Sequence, residues 1–155
     1  MSDDGRPVES ANMMAQAMVK AHYAGLKVIS HCEDLEIIDG GIINKGKISQ
    51  QLGVKGMSRL SEDTITAREL AIAQDTQMPI HIAHVSTKGS VNTIRGNTHI
   101  GVMCTCETAP HYFMMTDEKL LSRDADYRMN PPLREEDDVM AITAAVADGT
   151  IDCIV

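Results

Sequence analysis

Apolar and polar residues follow one another along the chain in blocks that predict helices and short strands in alternation. An apolar stripe at helical spacing runs through Ser10–Ala24, and Ser10 is the expected N-cap of that helix. The run Leu26–Ser30 is short and apolar, which is typical of a buried strand, and it ends at His31. The chain thus opens with one helix and one strand.

The same alternation continues to the last residue. We predict strands at Pro79–Ala83, Ile100–Cys106 and Ile151–Val155, and helices at Glu62–Thr76, Thr87–Asn97 and Glu135–Ala147, with a short helix opened by Thr116. Ser61 is the expected N-cap of the helix that begins at Glu62. The glycine-rich stretch Gly40–Gly56 predicts a loop with one helical turn, and the pair Pro131 and Pro132 excludes regular structure there.

These elements predict an α/β fold with parallel strands. Strands that are apolar along their whole length are buried on both faces, as in parallel sheets covered by helices. Residues 1–155 form about four β/α units, which we interpret as one domain and as part of a TIM-type (β/α)8 barrel. An open doubly wound sheet is the alternative, but the sequence lacks the Gly-x-Gly-x-x-Gly motif that would support it.

Composition limits the kinds of partner that the protein can bind and the cellular compartment in which it is expected. The net charge is -8 and no Lys/Arg cluster is present, which excludes nucleic-acid and membrane-surface partners because phosphate contacts need a basic surface. No apolar run resembles a signal peptide or a membrane span. The four cysteines contain no Cys-x-x-Cys pair, so we expect reduced thiols in a cytoplasmic protein. Cys104 and Cys106 share a strand face, where buried inert thiols are favoured over a zinc–thiolate site.

Two histidines follow predicted strands. His31 and His84 each stand at the carboxyl end of a strand, where the active sites of barrel enzymes lie. Imidazole is the commonest zinc ligand at neutral pH. Either histidine taken alone is better explained by a hydrogen-bonded structural role, and it is their shared position at strand ends that favours a metal site. Asp4 lies in the turn Asp3-Asp4-Gly5, where it is either a turn residue or a carboxylate that binds metal.

The remaining histidines are assigned to structural roles. His81 precedes His84 by three residues, and side chains at that separation in a strand face opposite sides. Only one of the two can therefore point into the barrel, and we assign His84 to the site. We expect His22 and His99 on the surface and take His111 as a bystander.

Asn130 is the candidate for contact with a ligand. It stands before the two prolines, and a rigid loop suits a side-chain amide that must be held in place. An Asx turn leading into the prolines is the alternative. We expect Arg134 to pair with its acidic neighbours and Glu135–Asp138 to be a solvated helix N-terminus.

Five strings of residues follow one another along the chain. They are Ser2-Asp3-Asp4-Gly5, His31-Cys32-Glu33-Asp34, His81-Ile82-Ala83-His84-Val85-Ser86-Thr87, Cys106-Glu107-Thr108-Ala109-Pro110-His111 and Met129-Asn130-Pro131-Pro132-Leu133-Arg134. Taken together and in this order, they closely resemble dihydroorotases of the bacterial long-chain class, within the amidohydrolase superfamily. Each is moderately specific, and the resemblance covers essentially the whole chain.

The resemblance implies a metal-dependent barrel with one or two Zn²⁺ ions. By matching strings, His31 and His84 correspond to two zinc ligands and Asp4 to the bridging carboxylate. Asn130 corresponds to a residue that binds substrate. The family's His-x-His ligand pair is expected before residue 1 and its catalytic Asp directly after residue 155, so we expect no catalytic residue within the chain and no activity from the chain alone.

The implied reaction is the interconversion of (S)-dihydroorotate and N-carbamoyl-L-aspartate in de novo pyrimidine biosynthesis, by a cytoplasmic homodimer. A dihydropyrimidinase-like or allantoinase-like cyclic amidase is one alternative, against which Asn130-Pro131-Pro132 and Asp4 weigh. A non-catalytic subunit that supports aspartate carbamoyltransferase is another. The presence of Asp4, His31 and His84 weighs against that second alternative.

Overall fold

A computed structural model describes residues 1–155 and confirms the alternation of strands and helices. The strands are β1 (Val28–Ser30), β2 (Ile43–Asn44), β3 (Gly56–Met57), β4 (Ile80–Ile82), β5 (Cys104–Thr108) and β6 (Cys153–Ile154). The helices are α1 (Ala11–Tyr23), α2 (Leu35–Ile38), α3 (Lys47–Leu52), α4 (Leu60–Thr76), α5 (Lys88–His99), α6 (Pro110–Met114) and α7 (Glu136–Ala147). Two 3-10 helices span Asp117–Ser122 and Ala125–Tyr127.

The main sheet has four parallel strands in the order β1-β4-β5-β6. This order follows the chain, as in a (β/α)8 barrel, whereas a doubly wound sheet reverses direction at a switch point. Ser2 forms a further parallel bridge with Ile29, so the N-terminal residues lie along the outer edge of β1. The fold is therefore α/β with a partial barrel sheet, as predicted. The short strands β2 and β3 form a separate parallel pair.

The two faces of the main sheet differ in burial. One face packs against helices α1, α4, α5 and α7, and the strand residues Val28, Ile80, Ile82 and Cys106 are buried there. The opposite face carries Ile29, His81 and Thr105, which lie in register on neighbouring strands and are only partly buried. No helix has the length and hydropathy needed to cross a membrane.

Three local predictions need correction. The stretch 40–56 holds β2, α3 and the start of β3, and is more ordered than a loop with one turn. The third strand begins at Cys104 and not at Ile100, because Ile100 and Gly101 close the C-terminal turn of α5 through bonds to Asn97 and Thr98.

Ser61 is not an N-cap, because α4 already begins at Leu60. The Ser61 hydroxyl accepts from Asp34 N at 2.8 Å and donates to Asp34 O at 3.1 Å. This serine therefore fastens α4 to the segment that follows β1. Helix α6 was not predicted, although Pro110 in its first turn is a typical signal of a helix start.

Candidate metal centre

Three side chains proposed from the sequence meet at the carboxyl ends of β1 and β4. His31 Nδ1 lies 2.8 Å from His84 Nε2. Asp4 Oδ1 lies 3.4 Å from each of these ring nitrogens. His31 is buried, His84 is partly buried and Asp4 is exposed, so the group opens toward solvent on the side of the carboxylate.

The strand ends explain why the two histidines meet, but the alternation argument for choosing His84 over His81 is wrong. Strand β4 ends at Ile82, and His84 has a left-handed backbone with φ of 35°. Alternation therefore does not relate His81 to His84. His81 lies in register with Ile29, two residues before His31, and so shares the sheet face from which His31 projects.

Asp3, which the sequence analysis did not single out, holds the turn that carries Asp4. Its Oδ1 accepts a hydrogen bond of 2.7 Å from His31 N, and its Oδ2 accepts one of 3.0 Å from Val8 N. The two adjacent aspartates thus have different roles. Asp3 ties the turn to the end of β1, and Asp4 faces the histidines.

Glu33 was also missed, and it orients His31. Its Oε2 lies 3.1 Å from His31 Nε2, on the opposite side of the ring from the nitrogen that faces His84. A carboxylate in this position fixes the tautomer and the direction of a metal-binding histidine. Two signals in the sequence could have found it: its place two residues after a candidate ligand, and its place in the string His31-Cys32-Glu33-Asp34.

The carboxylates around His31 also set its charge. Burial works to lower the pKa of His31, but the hydrogen bond and charge of Glu33, with the charges of Asp4 and Asp3, outweigh burial and hold that pKa above its usual value. Burial likewise works to raise the pKa of Glu33, but the bonds from His31 and Asn130 hold it below its usual value. The pair therefore favours an ionised Glu33 that accepts from the ring.

Asn130 lies beside this group and contacts it through Glu33. Its Nδ2 donates a hydrogen bond of 2.8 Å to Glu33 Oε1. The side chain is exposed, while the two prolines after it are buried. Tyr112 Oη donates to Pro131 O at 2.8 Å and holds the loop in place. The structure thus joins Asn130 to the candidate ligands through one intervening carboxylate.

A buried ion pair supports the loops that carry His84 and Asn130. Glu62 Oε1 accepts from Ser86 N at 2.9 Å and from Thr87 N at 3.1 Å, directly after the segment that holds His84. Glu62 Oε2 lies 3.2 Å from Arg134 Nη2, directly after the proline loop. One carboxylate therefore fixes both loops.

The expected pairing of Arg134 with its acidic neighbours is therefore wrong. Arg134 is buried and also donates to Ser86 Oγ at 3.0 Å and to Asn44 Oδ1 at 3.2 Å. Arg59 pairs with the acidic neighbours instead, and its Nε donates to Asp138 Oδ2 at 2.6 Å. Asp138 is only 2% exposed, so the acidic run is not uniformly solvated.

The other histidines and the thiols stand outside this group. His22 and His99 are exposed on helices, as expected. His111 has a buried Nε2 without a partner, and burial followed by the charge of His84 lowers its pKa. All four cysteines are free thiols, with Cys106 buried and Cys104 partly buried.

The donor set of Asp4, His31 and His84 fits a zinc ion. Nitrogen and carboxylate ligands are typical of zinc, and three protein ligands suffice in a catalytic site. Two ligands at about 2.0–2.1 Å from a tetrahedral ion lie about 3.3 Å apart. The two distances of 3.4 Å from Asp4 match this spacing, and the 2.8 Å between the rings is about 0.5 Å shorter. A small movement of the two rings away from each other would therefore make room for the metal.

Comparison with solved structures places the sheet in a known architecture. The chain is 26% identical to a D-hydantoinase over 99% of its length and 35% of that protein, with a TM-score of 0.79. A dihydropyrimidinase from Brevibacillus agri is 21% identical over the same shares of the two chains, with a TM-score of 0.80. These neighbours are TIM-barrel amidohydrolases, so the likeness identifies the chain as part of such a barrel.

Comparison of sequences gives closer relatives. The dihydroorotase of Trichlorobacter lovleyi is 51% identical over 154 residues, which are 99% of this chain and 36% of the relative. The dihydroorotase of Geobacter metallireducens is 49% identical over the same shares. The chain therefore spans about a third of the length of these curated relatives. A family described as dihydro-orotase-like matches residues 1–90, more than half of the chain. This chain belongs to the dihydro-orotase-like family.

Proposed function

We propose that this chain forms the metal-binding and substrate-facing segment of a zinc-dependent dihydroorotase, which interconverts (S)-dihydroorotate and N-carbamoyl-L-aspartate. The observation that carries the proposal is the convergence of Asp4, His31 and His84 within 4.8 Å of one another at the strand ends. The names and identities of the relatives from Trichlorobacter lovleyi and Geobacter metallireducens support the choice of substrate. Pyrimidine biosynthesis, a cytoplasmic location and a homodimer belong to the same proposal.

The three candidate ligands would hold the metal through His31 Nδ1, His84 Nε2 and Asp4 Oδ1. A bound Zn²⁺ supplies two effects, since it lowers the pKa of its water from 15.7 toward about 7 and polarises the carbonyl of the cyclic amide. Asp4 has a second oxygen and is exposed, which suits a carboxylate that bridges two ions. Glu33 keeps His31 in the tautomer that presents Nδ1.

Asn130 would position the substrate ring. It donates one N–H to Glu33, which leaves its Oδ1 and its second N–H for a ligand. Because the amide is exposed while its loop is held by buried prolines, it can meet a ligand without moving the backbone. The proton transfer between water and the ring nitrogen is proposed to use an Asp outside residues 1–155, acting as general base and then as general acid.

A hydantoinase-like activity is the second candidate, because the solved structures with the same fold include D-hydantoinase and dihydropyrimidinase. Those proteins also open cyclic amides. Their identities of 26% and 21% are well below the 51% and 49% of the dihydroorotases, which favours dihydroorotate as the substrate.

A chimaeric enzyme tests the function directly. The 154 residues of this chain that align with the Trichlorobacter lovleyi dihydroorotase would replace the matching segment of that protein. Ring opening of dihydroorotate and of dihydrouracil would then be measured. We expect turnover of dihydroorotate, and loss of turnover and of zinc in the His31→Ala and His84→Ala chimaeras. The exposed His22→Ala serves as the control. A folded chimaera that prefers dihydrouracil, or that stays active without both histidines, would refute the proposal.

A further inference from the structure

A second group of potential metal ligands lies across the three strands β4, β5 and β6. It consists of His81, Glu107 and Cys153, whose ligand atoms all lie within 4.8 Å of one another. His81 Nε2 is 3.0 Å from Glu107 Oε2. The group shares no residue with the candidate centre of Asp4, His31 and His84, called the Asp4 centre below, and the proposed function makes no use of it.

The sheet itself brings these residues together. His81 is in register with Thr105 on β5, and Glu107 is in register with Cys153 on β6. Thr105 and Glu107 are two residues apart in one strand, so they project from the same face. This is the face that the helices leave uncovered. His81 and Glu107 are partly buried there, and Cys153 is exposed.

The donor types select the class of metal. One imidazole nitrogen, one carboxylate oxygen and one sulfur are ligands of zinc and of similar transition metals, whereas magnesium and calcium prefer oxygen. A carboxylate and a thiolate together carry two negative charges, which balance one divalent cation. Three protein ligands leave the fourth tetrahedral position for water.

The residue behind His81 supports a metal-binding tautomer. Thr105 Oγ1 lies 2.8 Å from His81 Nδ1, and a hydroxyl can accept from Nδ1–H and so leave the lone pair of Nε2 for a metal. Lys27 Nζ also donates to Thr105 Oγ1, at 3.2 Å. Its positive charge opposes a bound cation, but the ammonium is exposed and therefore screened by solvent and salt.

We propose that His81, Glu107 and Cys153 form a second transition-metal site, which takes Zn²⁺ independently of the Asp4 centre. On binding, the Cys153 thiol releases its proton to solvent and its sulfur bonds to the metal, while His81 binds through neutral Nε2. Without metal, a hydrogen bond of 3.0 Å joins His81 Nε2 to Glu107 Oε2. The rival explanation is that His81 and Glu107 only form a structural hydrogen bond with each other and bind no metal.

Cobalt provides a probe that separates this site from the Asp4 centre. Co²⁺ adopts zinc-like sites and gives a sulfur-to-cobalt charge-transfer absorption only when a thiolate binds it. The Asp4 centre contains no sulfur, so the absorption reports the second site alone. The 155-residue chain would be stripped with a chelator and titrated with Co²⁺, and its zinc content would be measured after reloading and gel filtration.

We expect the absorption in the wild-type chain and in the His84→Ala variant, and its loss in the Cys153→Ser variant. The matched control is Cys104→Ser, which changes another thiol of the same sheet and should keep the absorption. Cys153→Ser should also hold one fewer zinc ion per chain than the wild type. Glu107→Gln is a second variant, for which we expect at least a tenfold weaker Co²⁺ affinity, with circular dichroism as the check of its fold.

Three results would overturn the second site. The first is a folded wild-type chain that shows no charge-transfer absorption with Co²⁺. The second is an absorption that survives Cys153→Ser, since another thiol would then be the ligand. The third is an absorption that disappears in a folded His84→Ala variant, because the two groups would then not be independent. Failure of the dihydroorotase proposal would leave the absorption unchanged, so the two proposals are tested separately.

Discussion

Asn130 and Glu33 are 97 residues apart in the chain, yet Asn130 Nδ2 donates a hydrogen bond of 2.8 Å to Glu33 Oε1. The other oxygen of the same carboxylate faces His31 Nε2. Glu33 therefore connects the loop proposed to contact substrate with a candidate metal ligand. A residue at such a junction should affect both metal binding and substrate binding.

Glu33→Gln is expected to weaken zinc binding at the Asp4 centre by about 10–100-fold, which is typical for loss of a carboxylate that orients a metal-binding histidine. Glutamine keeps the size of the side chain but replaces one carboxylate oxygen with an NH2 group, so one of the two positions that face His31 and Asn130 no longer holds an acceptor. Zinc affinity would be measured by competition with a chelating dye, in a Cys153→Ser background that removes the second site. Glu36→Gln changes an exposed carboxylate on α2 and serves as the control. Equal affinities for the two variants would show that Glu33 does not orient the ring.

His84→Ala should remove zinc from the Asp4 centre, whereas His81→Ala should leave it there. His84 Nε2 is 2.8 Å from His31 Nδ1, while His81 bonds to Thr105 and Glu107. Zinc content after gel filtration, again in the Cys153→Ser background, distinguishes the two variants. Loss of this zinc in His81→Ala, in a chain that remains folded, would mean that the wrong histidine has been assigned.

The sequence predicted the contacts that follow from the order of strands and helices along the chain. Apolar runs located β1 and β4, and the carboxyl ends of neighbouring parallel strands meet at one edge, so His31 and His84 were expected together. Asp4 could be added only through the resemblance, since a turn aspartate has many structural explanations. Its geometry became clear from the hydrogen bond between Asp3 and the backbone of His31.

The supporting contacts could not be predicted in the same way, because they join residues that are far apart in the chain. Arg134 and Glu62 are 72 residues apart, and Arg59 and Asp138 are 79 apart. An arginine beside acidic residues suggests local pairing, and nothing in the local pattern reveals a buried partner on another element. Burial of both charges, which makes the long-range pair necessary, becomes visible only in the fold.

Asn130→Ala should reduce kcat/KM without loss of zinc. A hydrogen bond from a side-chain amide to the substrate is worth about 1–3 kcal/mol, which corresponds to about a 5- to 150-fold fall in kcat/KM. Zinc should be retained because Glu33 keeps its contact with His31. Kinetics and zinc content of the chimaera with the Trichlorobacter lovleyi segments would measure both effects. Unchanged kinetics would refute contact with the substrate, and loss of zinc would instead assign Asn130 to support of the metal centre.

Glu62→Gln should lower the stability of the chain at neutral pH but remove part of its acid sensitivity. Burial works to raise the pKa of Glu62, yet Arg134 and the bonds from Ser86 hold that pKa below the ordinary 4.5. A depressed pKa contributes stability that is present above about pH 4.5 and is lost as the pH falls through the folded-state value. The variant leaves Arg134 buried without its counter-charge, which costs about 3–5 kcal/mol at pH 7. Urea unfolding from pH 7 to pH 3 should therefore show the two free energies of unfolding converging below about pH 4.5. The control is the exposed Glu118→Gln, whose free energy of unfolding should depend on pH in the same way as that of the wild type. If the difference in free energy of unfolding between Glu62→Gln and the wild type stayed constant down to pH 3, Glu62 would not be ionised in the folded chain.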